Sequence, residues 1–157
     1  MVCLGNICRS PMAEGILRKQ VFDLDLQNYV SIDSCGTGAW HVGQAPDSRA
    51  QQCMRQKGVD ISNIEGRQFY PDHDFEEFDY ILTMDDSNYR NVVSKAKGET
   101  EKLKVYKVLK FHPDKLEDLS VPDPYYGPGD GFERVYALLN LALKGFVESK
   151  LVGNNEA

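Results

Sequence analysis

One turn near the start of the chain limits what the rest can become. Cys3-Leu4-Gly5-Asn6-Ile7-Cys8-Arg9-Ser10 lies between a strand ending at Val2 and a helix signalled by Pro11, and it sets a cysteine and an arginine six positions apart. Successive backbone N–H groups in such a turn converge on a concavity, and the helix start adds partial positive charge. That geometry holds an anion. The planar fork of Arg9 can grip two oxygens of a phosphate, while the amides from Leu4 through Arg9 line the cradle. The same field favours the thiolate of a cysteine facing it, which makes Cys3 a candidate nucleophile. Gly5 and Asn6 are residue types that tolerate the left-handed backbone such a loop needs. Ser10 can donate its hydroxyl hydrogen to the Cys3 sulfur, and Pro11 suits a first helical turn. The Cys-x5-Arg spacing alone is a weak signal, but the intervening and flanking residues each have a physical task. Together they point to phosphoryl transfer through a cysteinyl-phosphate.

The remaining pattern alternates strand and helix. Residues 11–22 read as a helix with an uneven apolar face built from Met12, Ile16, Leu17 and Gln20-Val21. A short strand is expected at 29–33, ending in the turn-rich Ser34-Cys35-Gly36-Thr37-Gly38. Residues 48–57 read as a helix capped by Asp47 or Ser48 and stopped by Gly58. The run at 78–84 is apolar and rich in strand formers, Asp85-Asp86-Ser87 caps a further helix, and 103–109 is a fourth strand. The last helix, 132–149, carries Val135, Leu139, Ala142 and Phe146 on one stripe. Such alternation predicts a single doubly wound α/β domain over residues 1–157, with a four-stranded parallel sheet flanked by helices. Sites in such folds lie at the carboxyl ends of strands, where Cys3 falls.

Composition narrows the setting. Apolar residues make up 41% and charged residues 27% of the chain, as in an ordinary globular domain. No apolar run reaches the length of a membrane span, and no signal-peptide pattern opens the chain. Four cysteines without an export signal fit a reducing, cytoplasmic compartment, where thiols serve chemistry rather than stapling. A net charge of −6 argues against nucleic acid as a partner, so attraction to a phosphorylated substrate must be local to Arg9 and the loop. His41, His73 and His112 have no partner at ligand spacing; neither a metal site nor a cofactor is expected.

A second chemical element is Val121-Pro122-Asp123-Pro124-Tyr125-Tyr126-Gly127-Pro128. Two prolines around an aspartate make a stiff loop that aims one carboxylate. Taken alone, Asp-Pro is ordinary turn chemistry. Beside a phosphate loop, Asp123 becomes the candidate proton donor for a leaving group and the base for the attacking water.

Residues 3–14 together with Asp123-Pro124-Tyr125-Tyr126-Gly127 closely resemble the low-molecular-weight protein tyrosine phosphatases. The resemblance runs over nearly the whole chain, including the segments at 33–37, 46–49 and 78–88. It implies the flavodoxin-like fold of the phosphotyrosine phosphatase I type, a covalent phosphocysteine intermediate and no metal. Expected substrates are phosphotyrosine-containing proteins or small aryl phosphates, with inorganic phosphate as product. The resemblance makes Asp123 the general acid and base and sets Trp40, Tyr125 and Tyr126 at the rim of the substrate cleft, with His41 beside them. Ser34, Asp33 and Asp85 match positions that support the loop, and Asn63 falls where many relatives brace the loop asparagine with a histidine. An amide donates and accepts similarly, so Asn63 is expected to keep that support.

Members of this family usually carry several apolar residues before the position of Val2. Here either the chain is longer than the given sequence or the central strand is short, which would cost core burial and loosen the loop. Cys8, within the loop, either packs as a small apolar group or condenses with an oxidised Cys3 in a reversible disulfide. Cys35 and Cys53 are expected to be structural. Arsenate reductases share this fold and loop but relay oxidation through further downstream cysteines, and none follows Cys53. Arginine phosphatases of the same fold tend to have threonine where Ile7 stands and lack the tyrosine pair. A catalytically dead phosphotyrosine-binding module is disfavoured by the intact Cys3, Arg9 and Asp123.

Overall fold

The computed structural model describes residues 1–153. The strands are β1 Val2–Cys3, β2 Cys35–Gly36, β3 Ile81–Thr83 and β4 Val105–Lys107, ordered β2-β1-β3-β4 with every pairing parallel. Between them run α1 Arg9–Asp23, α2 Ser48–Gln56, α3 Pro71–Glu77, α4 Asp86–Ser94 and α5 Glu99–Lys102, and α6 Gly131–Phe146 follows β4. A 3-10 turn at Val108–Phe111 leaves β4, and a π-helical segment at Val147–Val152 extends α6. Among the described residues no helix is long and apolar enough to cross a membrane.

Parallel strands are covered on both faces, and their side chains divide with the two-residue period of a strand. Val2, Cys35, Ile81 and Val105 enter one buried cluster with Phe69, Phe75 and Val92. Cys3 and Leu82 face the other, larger cluster, built on Met12, Ile16, Leu139, Leu143 and Phe146. The first nine residues of helix α1 belong to that interior: Arg9 through Leu17 are buried in succession, together with Val21, which explains its uneven apolar stripe. It packs against α6, whose Val135, Leu139, Ala142 and Phe146 are all buried. Truncating Leu139 to alanine there would cost about 2–5 kcal/mol.

The strands are shorter than the sequence pattern suggests. Residues 29–33 are not a strand; β2 instead begins at Cys35, where pairing with Val2 starts. Strands exist only where a partner ladder exists, and β1 offers Val2 and Cys3. Similarly β3 and β4 occupy only the centres of the expected 78–84 and 103–109 runs. Helix α3 has no counterpart among the elements expected from the sequence pattern, and Pro71 at its first turn marks its start. The short central strand is nonetheless paired on both sides, Val2 with Cys35 and with Thr83.

Candidate active site

Cys3 ends β1 at the point where the chain's crossovers diverge, to β2 on one side and β3 on the other. In open parallel sheets a crevice forms there. The loop that leaves Cys3 is folded onto β2: a Cβ on Gly36 would stand 2.7 Å from the Leu4 carbonyl oxygen. Only glycine permits that approach. Gly38 N–H donates to the Leu4 carbonyl at 2.9 Å and Thr37 N–H to the Cys3 carbonyl at 2.9 Å, so the loop's C=O groups are turned away from the crevice. Its N–H groups point elsewhere. Those of Leu4, Gly5, Ile7 and Cys8 are matched to no acceptor among the described residues, the state in which a loop receives an anion.

Asn6 is the loop's left-handed residue, with φ of 57°, and its side chain is held at three points. Its amide N–H₂ donates to Ser10 Oγ at 2.8 Å and to Ser34 Oγ at 3.0 Å, and its Oδ1 accepts the Arg67 backbone N–H at 3.0 Å. The backbone N–H of Asn6 donates to the Cys3 sulfur at 3.3 Å. Ser10 Oγ lies 2.9 Å from the same sulfur. Gly5, unlike Asn6, does not adopt positive φ. Its lack of a side chain serves space instead, since a Cβ would come 3.1 Å from the His41 ring.

Asn63 does not reach Asn6. It is exposed on the loop after α2, where neighbouring Ile61 takes the buried position. The Asn6 amide already spends both its N–H bonds on serines and its oxygen on Arg67. Arg67 is therefore the brace that sequence reasoning missed; it acts through a backbone N–H, which no side-chain motif reveals.

Arg9 is 3% exposed and aimed by three oxygens. Its NH1 donates to Asp85 Oδ2 at 2.7 Å and to the Val121 carbonyl at 3.0 Å, and its NH2 stands 3.6 Å from Asp123 Oδ2. Asp85 has a second task, capping α4 by accepting the Asn88 N–H at 2.8 Å. Val121 anchors the segment that carries Asp123: its N–H donates to the Met84 carbonyl at 2.7 Å just beyond β3, while its carbonyl meets Arg9. Asp123, two residues on, thereby overhangs the cradle. Its Oδ1 accepts the Tyr125 N–H at 3.1 Å, an Asx-type turn that fixes the carboxylate.

Cys3, Leu4, Gly5, Ile7, Cys8, Arg9, Trp40, His41, Asp123, Tyr125 and Tyr126 thus line one cleft of ≈ 440 Å³. The other cysteines sit in different environments. Burial, followed by the charges of Asp47, Cys3 and Asp123, pushes the Cys8 thiol up to about 12, and burial raises Cys35 to about 12. Burial, followed by a hydrogen bond to Glu133, raises Cys53 to about 11. All three remain thiols at neutral pH. Cys3 and Cys8 are both free.

Comparison with known proteins decides the family. The family model described as low molecular weight phosphotyrosine protein phosphatase matches residues 1–156. The chain belongs to that family. It is a family of hydrolases. The chain is 43% identical to the low molecular weight phosphotyrosine protein phosphatase of Gallus gallus over 148 residues, covering 94% of this chain and 91% of that one. With the Homo sapiens phosphatase of the same name identity is 40%, at the same coverage. A protein tyrosine phosphatase from Entamoeba histolytica, crystallised with Hepes in its active site, superposes with a TM-score of 0.89 at 37% identity, covering 98% of this chain and 96% of that one. A drosophila arginine phosphatase superposes with a TM-score of 0.86 at 35% identity, covering 94% of each chain.

The rim of this phosphatase is built differently from its floor. Trp40 is 69% exposed and Tyr126 91% exposed, while Tyr125 is partly covered. The two tyrosine rings meet edge to face at 4.7 Å. Arg49 packs against Tyr125: its guanidinium lies 5.4 Å from the Tyr125 ring and 5.0 Å from Phe132, and it donates to the Tyr125 carbonyl at 3.2 Å. Asp47, the cap of α2, fixes Arg49 in turn through both its oxygens, and that hydrogen bonding lowers the Asp47 pKa. His41 is tied through Nδ1 to Gln44 Oε1 at 2.8 Å, which leaves its other edge against Gly5.

Proposed function

We propose that the protein hydrolyses phosphotyrosine through a cysteinyl-phosphate intermediate, without metal or cofactor, as a single catalytic domain. The observation that carries this reading is the placement of Cys3 Sγ between Asn6 N–H and Ser10 Oγ, in a cleft that Arg9 and Asp123, 3.6 Å apart, also line. Arg9 and the amides of Leu4 through Arg9 bind the phosphate and stabilise charge on its equatorial oxygens in the transition state. The Cys3 thiolate attacks phosphorus in line; the S–P bond forms as the P–O bond to the phenol breaks. Asp123 gives its proton to the departing phenolate, then takes one from a water that attacks the phosphocysteine and releases inorganic phosphate. Ser10 donates to the sulfur as it leaves in that second step. Trp40, Tyr125 and Tyr126 form the aromatic rim against which the substrate ring stacks.

Phosphotyrosine-bearing proteins and small aryl phosphates are the substrates this rim suits. A reducing, cytoplasmic setting suits a catalytic thiol. The likeness to a drosophila arginine phosphatase makes phosphoarginine the second reading, and Ile7 with the Tyr125-Tyr126 pair favours the first. Metal-free hydrolysis of a phosphotyrosine peptide beside a phosphoarginine peptide tests both. The expected result is turnover favouring phosphotyrosine, with none by Cys3→Ser although that variant still binds phosphate. Preference for phosphoarginine would replace the substrate, and turnover by Cys3→Ser would overturn the mechanism.

A further inference from the structure

Between α2 and α3 the chain passes behind the phosphate loop, and residues 66–69 are stitched there to three different parts of the site. Against β2, Gly36 N–H donates to the Arg67 carbonyl at 2.8 Å and Phe69 N–H to the Gly36 carbonyl at 2.7 Å. Against the loop that carries Trp40 and His41, Gly43 N–H donates to the Gly66 carbonyl and Gly66 N–H to the Gln44 carbonyl, each at 2.8 Å. Against the phosphate loop, Arg67 N–H reaches Asn6 Oδ1 at 3.0 Å.

Two of the three groups holding the Asn6 amide are the hydroxyls of Ser10 and Ser34, of which Ser10 is shared with the Cys3 sulfur. The third is the Arg67 N–H, whose position is set by the backbone bonds of residues 66–69 and by the arginine's own side chain. That guanidinium is clamped from both ends. NH1 and NH2 donate to Asp74 Oδ2 and Oδ1 at 3.0 Å each, and Nε donates to Asp33 Oδ2 at 2.9 Å. Asp74 is 2% exposed and is itself held by the Tyr70 N–H at 2.8 Å and by His73 Nδ1 at 3.1 Å. Asp33 accepts the N–H of Ser34, the residue whose hydroxyl also receives Asn6. A bidentate fork fixes both distance and plane, unlike a single contact. Burial works against the Arg67 charge, but the hydrogen bond to Asp74 and the neighbouring carboxylates of Asp33 and Asp74 together outweigh it, and the arginine pKa is raised.

We propose that Arg67 and Asp74 are positioning residues of the phosphatase site, acting through the Arg67 N–H on Asn6 and through Asn6 on the Cys3 sulfur. Neither touches substrate. The path runs from Asp74 to the guanidinium, to the Arg67 backbone, to the side chain of the one left-handed residue in the loop, and from that residue's N–H to Sγ. The same segment fixes the loop of Trp40 and His41 through Gly66, so floor and rim share one strut.

Asp74→Asn keeps the shape and removes the charge. Its expected effect is a fall of roughly 10-fold in kcat for a phosphotyrosine peptide, with a similar weakening of inhibition by inorganic phosphate, the scale of energetic coupling through a packed network. Arg67→Lys, which keeps the charge and loses the fork, should fall between Asp74→Asn and the parent enzyme. The decisive measurement is a cycle with Asn6→Ala. Once the Asn6 side chain is gone, adding Asp74→Asn should change kcat/KM by less than about 2-fold, because the two act in series. A full loss repeated in that background, or parental kinetic constants with only a lowered Tm, overturns the proposal. Should Asp74→Asn fail to fold, Arg67→Lys enters the same cycle with the same criteria. The proposal rests on the catalytic reading above but fails separately: turnover by Cys3→Ser would defeat that reading, whereas an additive cycle in Cys3-dependent activity defeats only the strut.

Discussion

Floor and rim of the same cleft follow opposite rules. On the floor Asn6, Arg9 and Ser10 are polar yet buried, and each side chain makes hydrogen bonds of 2.7–3.3 Å to hydroxyls, a carboxylate, carbonyls or a backbone N–H. On the rim Trp40 and Tyr126 stand in solvent, and Tyr125 is held by ring contacts and through its backbone, with no hydrogen bond to its side chain among the described residues. A buried polar group left unpaired costs about 1–3 kcal/mol, so the floor can exist in one arrangement only. Exposed rings pay no such penalty when they move. Charge stabilisation in a transition state needs the first kind of construction; contact with varied peptide surfaces is served by the second.

The contrast can be broken at the acid loop, which belongs to both regions. Asp123→Ala should lower kcat on phosphotyrosine by roughly 10²–10⁴-fold, the usual worth of a general acid, and much less on an aryl phosphate whose leaving group needs no proton. Equal losses on both substrates would place Asp123 among the binding groups instead. A smaller effect, of different character, is expected at the floor's edge. Asp85→Ala removes the Arg9 partner and the cap of α4 together, so both Tm and kcat should drop, with the cap alone worth about 1 kcal/mol. Loss of one without the other, read by calorimetry beside kinetics, would separate the two roles. The smallest effect belongs to the rim. Trp40→Ala should leave Tm unchanged within error and raise KM for aromatic phosphopeptides by roughly 5-fold, equivalent to about 1 kcal/mol of ring contact. A large fall in Tm would mean that the tryptophan is part of the core after all.

What could be read from the sequence was whatever depends on neighbours in the chain. The loop from Cys3 to Ser10, the caps at Asp47 and Asp85 and the long apolar stripe of α6 are local chemistry, and the structure puts each where the pattern puts it. Pairing partners are not local. The strand expected at 29–33 was displaced to Cys35–Gly36 because only β1 decides where β2 can begin. Asn63 was given a role by its place in a family pattern, while the bond it would have made is made by the backbone of Arg67. A backbone N–H carries no residue signature, and the ion cluster behind it joins Asp33, Arg67 and Asp74 from three separate segments.

The partners that shape the anion cradle are drawn from across the chain: Asn6 reaches Ser34 and Arg67, 28 and 61 residues away, and Arg9 reaches Asp85 and Val121, 76 and 112 residues away. Contacts so distant in sequence close late, since the intervening loops must be ordered first. No nascent fragment that stops short of Val121 can hold Arg9 in its working orientation. Recovery of turnover during refolding therefore reports closure of contacts as distant as that between Arg9 and Val121, 112 residues apart, and not the formation of the loop alone.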